Sequence, residues 1–216
     1  MNFEDIVAGF REVATASIAD AVDKAAGRKG YLDHAIKPRI NEKRIAGPAV
    51  TVLEARTDEF VPPQHALDVI DEADAGSVIV ISIAGDADVA VWGGLMTAGA
   101  VANRHEGAVL DGGVRDIVEI RRDYDFPVYA RSASPGTTLG RHKTIDANVP
   151  VPIGDVMVHP GDIVVGDIDG VVVVPRDHAE AVLDMARDID AREAEQARLI
   201  IEARSLRQGL AKYGRI

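Results

Sequence analysis

The chain has 216 residues, with 35 acidic against 24 basic side chains, a formal net charge of −11 and no cysteine. The charge argues against nucleic acid as a partner, because phosphate binding needs clustered Lys and Arg. The lack of Cys excludes disulfides, thiolate metal sites and Cys nucleophiles, and fits a cytoplasmic protein. The length suits one domain with a substantial core. No apolar run approaches the ~20 residues that span a bilayer, so no membrane partner is expected, and Met1-Asn-Phe-Glu-Asp-Ile6 lacks the basic start of a secretory signal.

Phe3, Ile6, Val7, Phe10 and Val13 recur at helical spacing in a helical segment over 3–26, with Thr15 or Ser17 as the cap of a second helix through Asp20–Asp23. A loop at 27–30 and an irregular stretch lead to Gly47-Pro-Ala-Val-Thr-Val-Leu53, whose β-branched alternation predicts a strand. A short amphipathic helix is expected over 64–73 and a buried strand over 76–82. The Ala-rich run after Gly93-Gly94 predicts another helix. Strand 107–111 ending in a Gly112-Gly113 turn, a charged turn with a short helix at 114–122, and strand 127–131 follow, and Ser134-Pro-Gly-Thr-Thr138 reads as a loop. Short strands are expected at 149–153, 162–165 and 170–174, and Asp177 is the expected cap of a long polar helix running to about Leu206. Alternating strands and helices followed by clustered strands predict an α/β fold of mixed strand direction. We expect a single domain over 1–216, whose C-terminal helix (177–207) carries enough apolar side chains to pack on a neighbouring subunit.

Most of the chemistry lies in Gly107-Ala-Val-Leu-Asp-Gly-Gly-Val-Arg-Asp-Ile-Val-Glu119. On a helix, Asp116 and Glu119 share one face. Two adjacent carboxylates repel unless a cation joins them, and oxygen ligands suit Mg²⁺ or Mn²⁺. Arg115 adds a fork of donors for a carboxylate or a developing enolate. The same charges also fit a solvated helix face with weak ion pairs, but their place after a strand, where ligands bind in open α/β folds, favours the first reading. Gly93-Gly94-Leu95-Met96 offers either an anion cradle of free N–H groups or close packing of helix on strand. The six histidines show no ligand spacing and are expected on the surface or in loops, with His65 the one of interest. There is no serine elbow, P-loop or dinucleotide fingerprint.

The stretch Gly85-Asp86, Trp92-Gly-Gly-Leu-Met96 and Gly107 through Asp116 resembles the core signature of the 4-hydroxy-4-methyl-2-oxoglutarate aldolase and ribonuclease-activity-regulator A-like family. The similarity runs from Ser17-Ile-Ala-Asp20 through Pro160-Gly-Asp-Ile-Val164 to Gly170-Val-Val-Val-Val-Pro175. It implies a swivelling-type β/β/α sandwich with a mixed sheet, assembled as a homotrimer or a pair of trimers with sites between subunits. It also implies a class II pyruvate aldolase that decarboxylates oxaloacetate with a divalent metal. In that reading Arg115 contacts the pyruvyl oxygens, Asp116 anchors the metal, and the amides of Leu95 and Met96 hold the pyruvyl carboxylate. A glutamate of the adjacent subunit's C-terminal helix, Glu193 ahead of Glu195, orients water.

One departure matters. The family's well-known bacterial aldolases carry Asp where this chain has Gly94. In the variant with Gly there and an acid three residues after the Arg-Asp pair, Glu119 takes over part of the missing carboxylate's role, as metal ligand and in proton transfer. This makes oxaloacetate decarboxylation the safer expectation, ahead of aldol cleavage of 4-hydroxy-4-methyl-2-oxoglutarate or 4-carboxy-4-hydroxy-2-oxoadipate. The regulator branch lacks the Asp after its Arg, so Asp116 points to the enzymes. The alternatives are a non-catalytic, protein-binding regulator of ribonuclease activity, and a metal-dependent lyase for another sugar acid.

Overall fold

A computed structural model describes residues 1–211; residues 212–216 of the expected domain lie outside the described part. In chain order the elements are α1 (Phe3–Phe10), α2 (Thr15–Ala25), β1 (Lys37–Pro38), β2 (Ile45–Arg56), α3 (Gln64–Glu72), β3 (Val78–Ser82), β4 (Ala90–Trp92), α4 (Gly94–Ala102), β5 (Gly107–Val114), α5 (Ile117–Asp123), β6 (Val128–Ala133), β7 (His142–Ala147), β8 (Val151–Ile153), β9 (Val156–Val158), β10 (Ile163–Asp167), β11 (Gly170–Val174), a 3₁₀ turn (Arg176–His178), α6 (Ala179–Ala203) and α7 (Leu206–Leu210).

Strands β3 and β5 are buried along their whole length, as parallel strands covered on both faces must be. The main sheet runs β1-β6-β5-β3-β2-β10-β11, with β4 beside the end of β5 and β7 beside β2. Neighbours β2, β3, β5 and β6 are parallel, whereas β1, β7, β10 and β11 pair antiparallel. The sheet curls until its ends nearly meet, and β1 lies against β11. Its inner face is filled by Ile45, Val80, Val109, Tyr129, Val164 and Val173, with the β8–β9 hairpin packed on them. Outside, α3, α4 and α5 cover one part of the sheet around Ile79, Leu110 and Trp92. Helices α1, α2 and α6 cover β10 and β11 through Phe10, Ile18, Val182 and Leu183. The architecture is therefore the expected mixed α/β sandwich with a long C-terminal helix.

Several local expectations need correction. Gly112-Gly113 is not a turn. Strand β5 continues to Val114, with an irregularity in its pairing to β6 between Leu110 and Gly113. A Cβ at Gly112 would strike the Ile83 side chain at 2.5 Å, and one at Gly113 would meet the Val89 carbonyl at 3.1 Å. The glycines thus admit close neighbours rather than bend the chain. Neither Thr15 nor Ser17 caps α2: its N-cap is Ala14, while the Thr15 hydroxyl donates to Asp167 Oδ1 at 2.7 Å. Asp177 lies in the 3₁₀ turn, and the N-cap of α6 is His178. The long helix stops at Ala203, where Arg204 turns into the left-handed region (φ 48°), and Ser205 caps the separate α7 by accepting from the Gln208 amide. Strands β1, β4, β7 and β9 had no expectation in the sequence.

Candidate active site

The C-terminal ends of the parallel strands β4 and β5 lie side by side, and the Arg115 N–H donates to the Trp92 carbonyl at 3.0 Å. The chain leaving β4 enters α4 through Gly93 and Gly94; the chain leaving β5 enters α5 through Arg115 and Asp116. This brings the two halves of the sequence motif together at the place the sheet topology favours for ligands.

Asp116 sits at φ 60° and ψ 30°, a left-handed conformation that Asp tolerates better than most residues. As the N-cap of α5 it makes no side-chain bond to its own helix. Instead its Oδ2 accepts the Gly94 N–H at 3.0 Å and lies 3.6 Å from Arg115 Nε. The strained backbone thus turns the carboxylate towards the neighbouring helix start. Glu119, one turn into α5, points the same way. A Cβ at Gly94 would be 2.5 Å from Glu119 Oε1, and one at Gly93 would be 2.6 Å from Asp116 Oδ2. Both carboxylates therefore converge on the Gly93–Gly94 peptide, in space that side chains at these positions would fill.

The first turn of α4 has few partners for its amides. The Gly94 N–H goes to Asp116 and that of Thr97 to the Gly93 carbonyl, leaving those of Leu95 and Met96 without an acceptor in the helix. Leu95 is 89% exposed, Arg115 and Asp116 are exposed, and Glu119 and Met96 are half-buried. The arrangement offers amide donors and a guanidinium to an anion, and two carboxylates to a cation. A hard divalent ion fits this all-oxygen pair, since Mg²⁺ commonly takes one or two carboxylates and leaves its other positions to water or substrate. Among the described residues no third Asp, Glu or His joins the two carboxylates.

The structure does not bring Glu193 to this cluster within the chain. It is exposed on α6, which packs on α1 and α2. Asp86 and Asp111 have other partners. Asp86 accepts from Arg56 Nη2 at 3.0 Å and from the Asp88 amide at 3.1 Å. Asp111 is buried and accepts from Arg131 Nε at 3.1 Å, while Arg131 Nη1 also reaches Asp33 at 3.0 Å. Burial pushes the Asp111 carboxyl up from its ordinary range, against the pull of Arg131. The expectation that the histidines lie in loops or at the surface fails for His142, buried on β7; His105 does lie in a loop, ahead of β5, though it is buried. His105 Nε2 bonds the Ile70 carbonyl at 2.8 Å, and His65 Nδ1 sits 2.9 Å from the Thr144 hydroxyl. A cleft of about 920 Å³ lined by Phe3, Arg11, Val69, Asn148 and Arg176 lies between α1 and the end of α3, and contains none of the candidate site residues. Sequence reasoning placed Gly93 in the cradle motif without a role of its own; the approach of Asp116 supplies one.

The profile of the RraA-like family, described as Aldolase/RraA, matches residues 15–173. The chain belongs to the RraA-like family. The RraA-like match contains Gly93–Met96, Arg115, Asp116 and Glu119, and ends before Glu193. A protein of Halalkalibacterium halodurans provisionally named as a 4-hydroxy-4-methyl-2-oxoglutarate aldolase is 36% identical over 196 residues, covering 88% of this chain and 87% of that protein. A solved structure of an uncharacterised Pseudomonas syringae protein superposes with a TM-score of 0.87 at 31% identity, over 98% of this chain and 95% of that one. Streptomyces coelicolor RraAS2, described as an unusual member of the RNase ES inhibitor RraA protein family, superposes with a TM-score of 0.82 at 26% identity, over 90% and 97% of the two chains. RraA-like relatives thus include proteins named for aldol chemistry and for ribonuclease inhibition. No helix among the described residues is long and apolar enough to cross a membrane.

Proposed function

We propose that this RraA-like protein is a divalent-metal-dependent carbon–carbon lyase acting on 2-oxo acids that carry a second carboxylate, with oxaloacetate decarboxylation as its simplest reaction. The observation that carries this reading is the convergence of Asp116 and Glu119 on the free-amide start of α4, with Arg115 at their side. The aldolase name of the Halalkalibacterium halodurans relative supports it.

The N–H groups of Leu95 and Met96 would bind the 2-oxo acid's C1 carboxylate at the positive end of the helix. Asp116 and Glu119 would hold Mg²⁺ or Mn²⁺, which when bound supplies Lewis-acid polarisation of the 2-keto group. As the C3–C4 bond of oxaloacetate breaks, carbon dioxide leaves and its bonding electron pair moves into the 2-keto group, giving the enolate of pyruvate. Arg115 stabilises that enolate oxygen, an interaction stronger in the transition state than in the ground state. A proton then returns to C3. Aldol cleavage additionally needs a base for the 4-hydroxyl, and Glu119 with the adjacent subunit's Glu193 and a water would serve.

The assembly we propose is a homotrimer or hexamer. Leu95 and Val118, 89% and 76% exposed, flank the charged cluster and form the kind of apolar rim that a neighbouring subunit covers. The cysteine-free composition supports a cytoplasmic protein, and the charge of −11 supports one without nucleic-acid partners.

The test is pyruvate release from oxaloacetate and from 4-hydroxy-4-methyl-2-oxoglutarate, with Mg²⁺, Mn²⁺ or EDTA, counted above a metal blank. We expect EDTA-sensitive turnover that Arg115→Ala lowers by about 100-fold or more, in the range seen when one charge-stabilising donor is removed. Full activity in Arg115→Ala would overturn the assignment. No turnover above the blank, with inhibition of a ribonuclease by the protein, would establish the second reading, which the likeness to RraAS2 favours.

A further inference from the structure

The Gly93–Gly94 peptide carries the site, yet with no Cβ on either side it is the most freely rotating link in the backbone there. Its orientation is held at both ends. Its N–H donates to Asp116, and its carbonyl accepts from the Thr97 hydroxyl and the Thr97 amide, each at 3.0 Å. The Thr97 hydroxyl in turn accepts the indole N–H of Trp92 at 2.8 Å. The direction of this chain is forced. An indole only donates, so Thr97 must accept from it, and the single hydroxyl proton is left for the Gly93 carbonyl. Thr97 is fully buried, Trp92 is 1% exposed, and the Phe126 ring stacks on the indole at 6.1 Å and 8°. Trp92 also gives its own carbonyl to the Arg115 N–H at 3.0 Å. One residue therefore ties the start of α4 through its side chain and Arg115 through its backbone.

We propose that Trp92 and Thr97 are positioning residues of the 2-oxo-acid site, locking the Gly93–Gly94 peptide so that the free amides of Leu95 and Met96 address the substrate carboxylate. This rests on the function proposed above. Neither side chain touches substrate. Their action is on the direction of the amides, which bind the carboxylate alike in ground and transition states. Their loss therefore weakens binding more than turnover.

The experiment uses the full chain with Mg²⁺ and compares Thr97→Val, which keeps the shape and removes the hydroxyl, with Thr97→Ser, which restores it. Trp92→Phe paired with Thr97→Val removes both ends of the indole bond and keeps a fold variant in hand if Thr97→Val alone is unstable. Two readouts are taken: KM and kcat for oxaloacetate, and hydrogen exchange at the two bonded amides of the lock, those of Gly94 and of residue 97. The expected result is a KM raised at least fivefold with kcat within threefold. Exchange at the two amides should be faster by a similar factor and unchanged in β3, with both effects reversed by Thr97→Ser. A KM and exchange within twofold of the native protein in Thr97→Val, or no rescue by Thr97→Ser, would overturn the lock. If the native protein turns over no 2-oxo acid, the proposed function falls, and the exchange arm still decides whether Thr97 holds the Gly93–Gly94 peptide.

Discussion

Gly94 is defined by what stands beside it. An added Cβ would meet the Glu119 carboxylate at 2.5 Å, so the absent side chain and the present carboxylate share one volume. Gly94→Ala is expected to push Glu119 aside and to weaken Mn²⁺ binding by about tenfold or more, the range for misplaced metal-site groups; calorimetric titration checks this. Asp116 has two jobs that substitutions separate. Asn tolerates the left-handed backbone and can still accept the Gly94 N–H, so Asp116→Asn is expected to keep stability within about 0.5 kcal/mol while losing turnover. Asp116→Ala loses both, with about 1–2 kcal/mol of stability lost in urea unfolding. At this scale the sequence was informative, because Arg115, Asp116 and Glu119 are neighbours along one turn. It gave no role to Trp92 or Thr97, whose polar groups are used only against each other and the backbone.

The elements follow their local patterns where burial is continuous. Val78–Ser82 and the 107–110 part of β5 are buried at every position and announce themselves as apolar runs. His142–Ala147 does not: its side chains are mostly half-exposed or exposed, and it becomes a strand only by pairing with Val52–Arg56. Capping was read poorly for a related reason. Thr15 bonds Asp167, distant in sequence, rather than its own helix. The break after α6 shows local chemistry that can be improved. Arg204 adopts φ 48° at the helix end and is exposed. Arg204→Gly is expected to stabilise the protein by about 0.5–1 kcal/mol, visible as a higher Tm, because Gly enters that region without a Cβ penalty.

For the whole molecule, Glu54 is the most consequential titrating group. It is 4% exposed on β2, neither carboxylate oxygen has a hydrogen-bond partner, and burial raises its pKa from 4.5 to about 7. Below pH 4.5 the carboxyl is neutral both folded and unfolded and carries no charge penalty. As pH rises towards 7 the unfolded chain ionises first, so stability falls through this window and levels off once the folded group ionises as well. The shift corresponds to about 3 kcal/mol across the window. Glu54→Gln is expected to remove that slope, so denaturant midpoints of the variant and native protein compared at pH 5 and pH 8 check it; parallel profiles would show that Glu54 is not the group responsible.

The sequence by itself determined the class of fold, the buried central strands and the Arg115–Asp116–Glu119 cluster, because apolar runs and charges a few residues apart are local properties. Only the tertiary structure decided that β4 lies beside the end of β5, and so that Gly93 and Gly94 stand against carboxylates more than twenty residues further on. It also decided that Gly112 and Gly113 extend a strand, that Asp111 serves Arg131, and that Glu54 is buried without a partner. Each of these depends on which distant backbone or side chain fills the neighbouring space, and close packing sets that only once the sheet has curled.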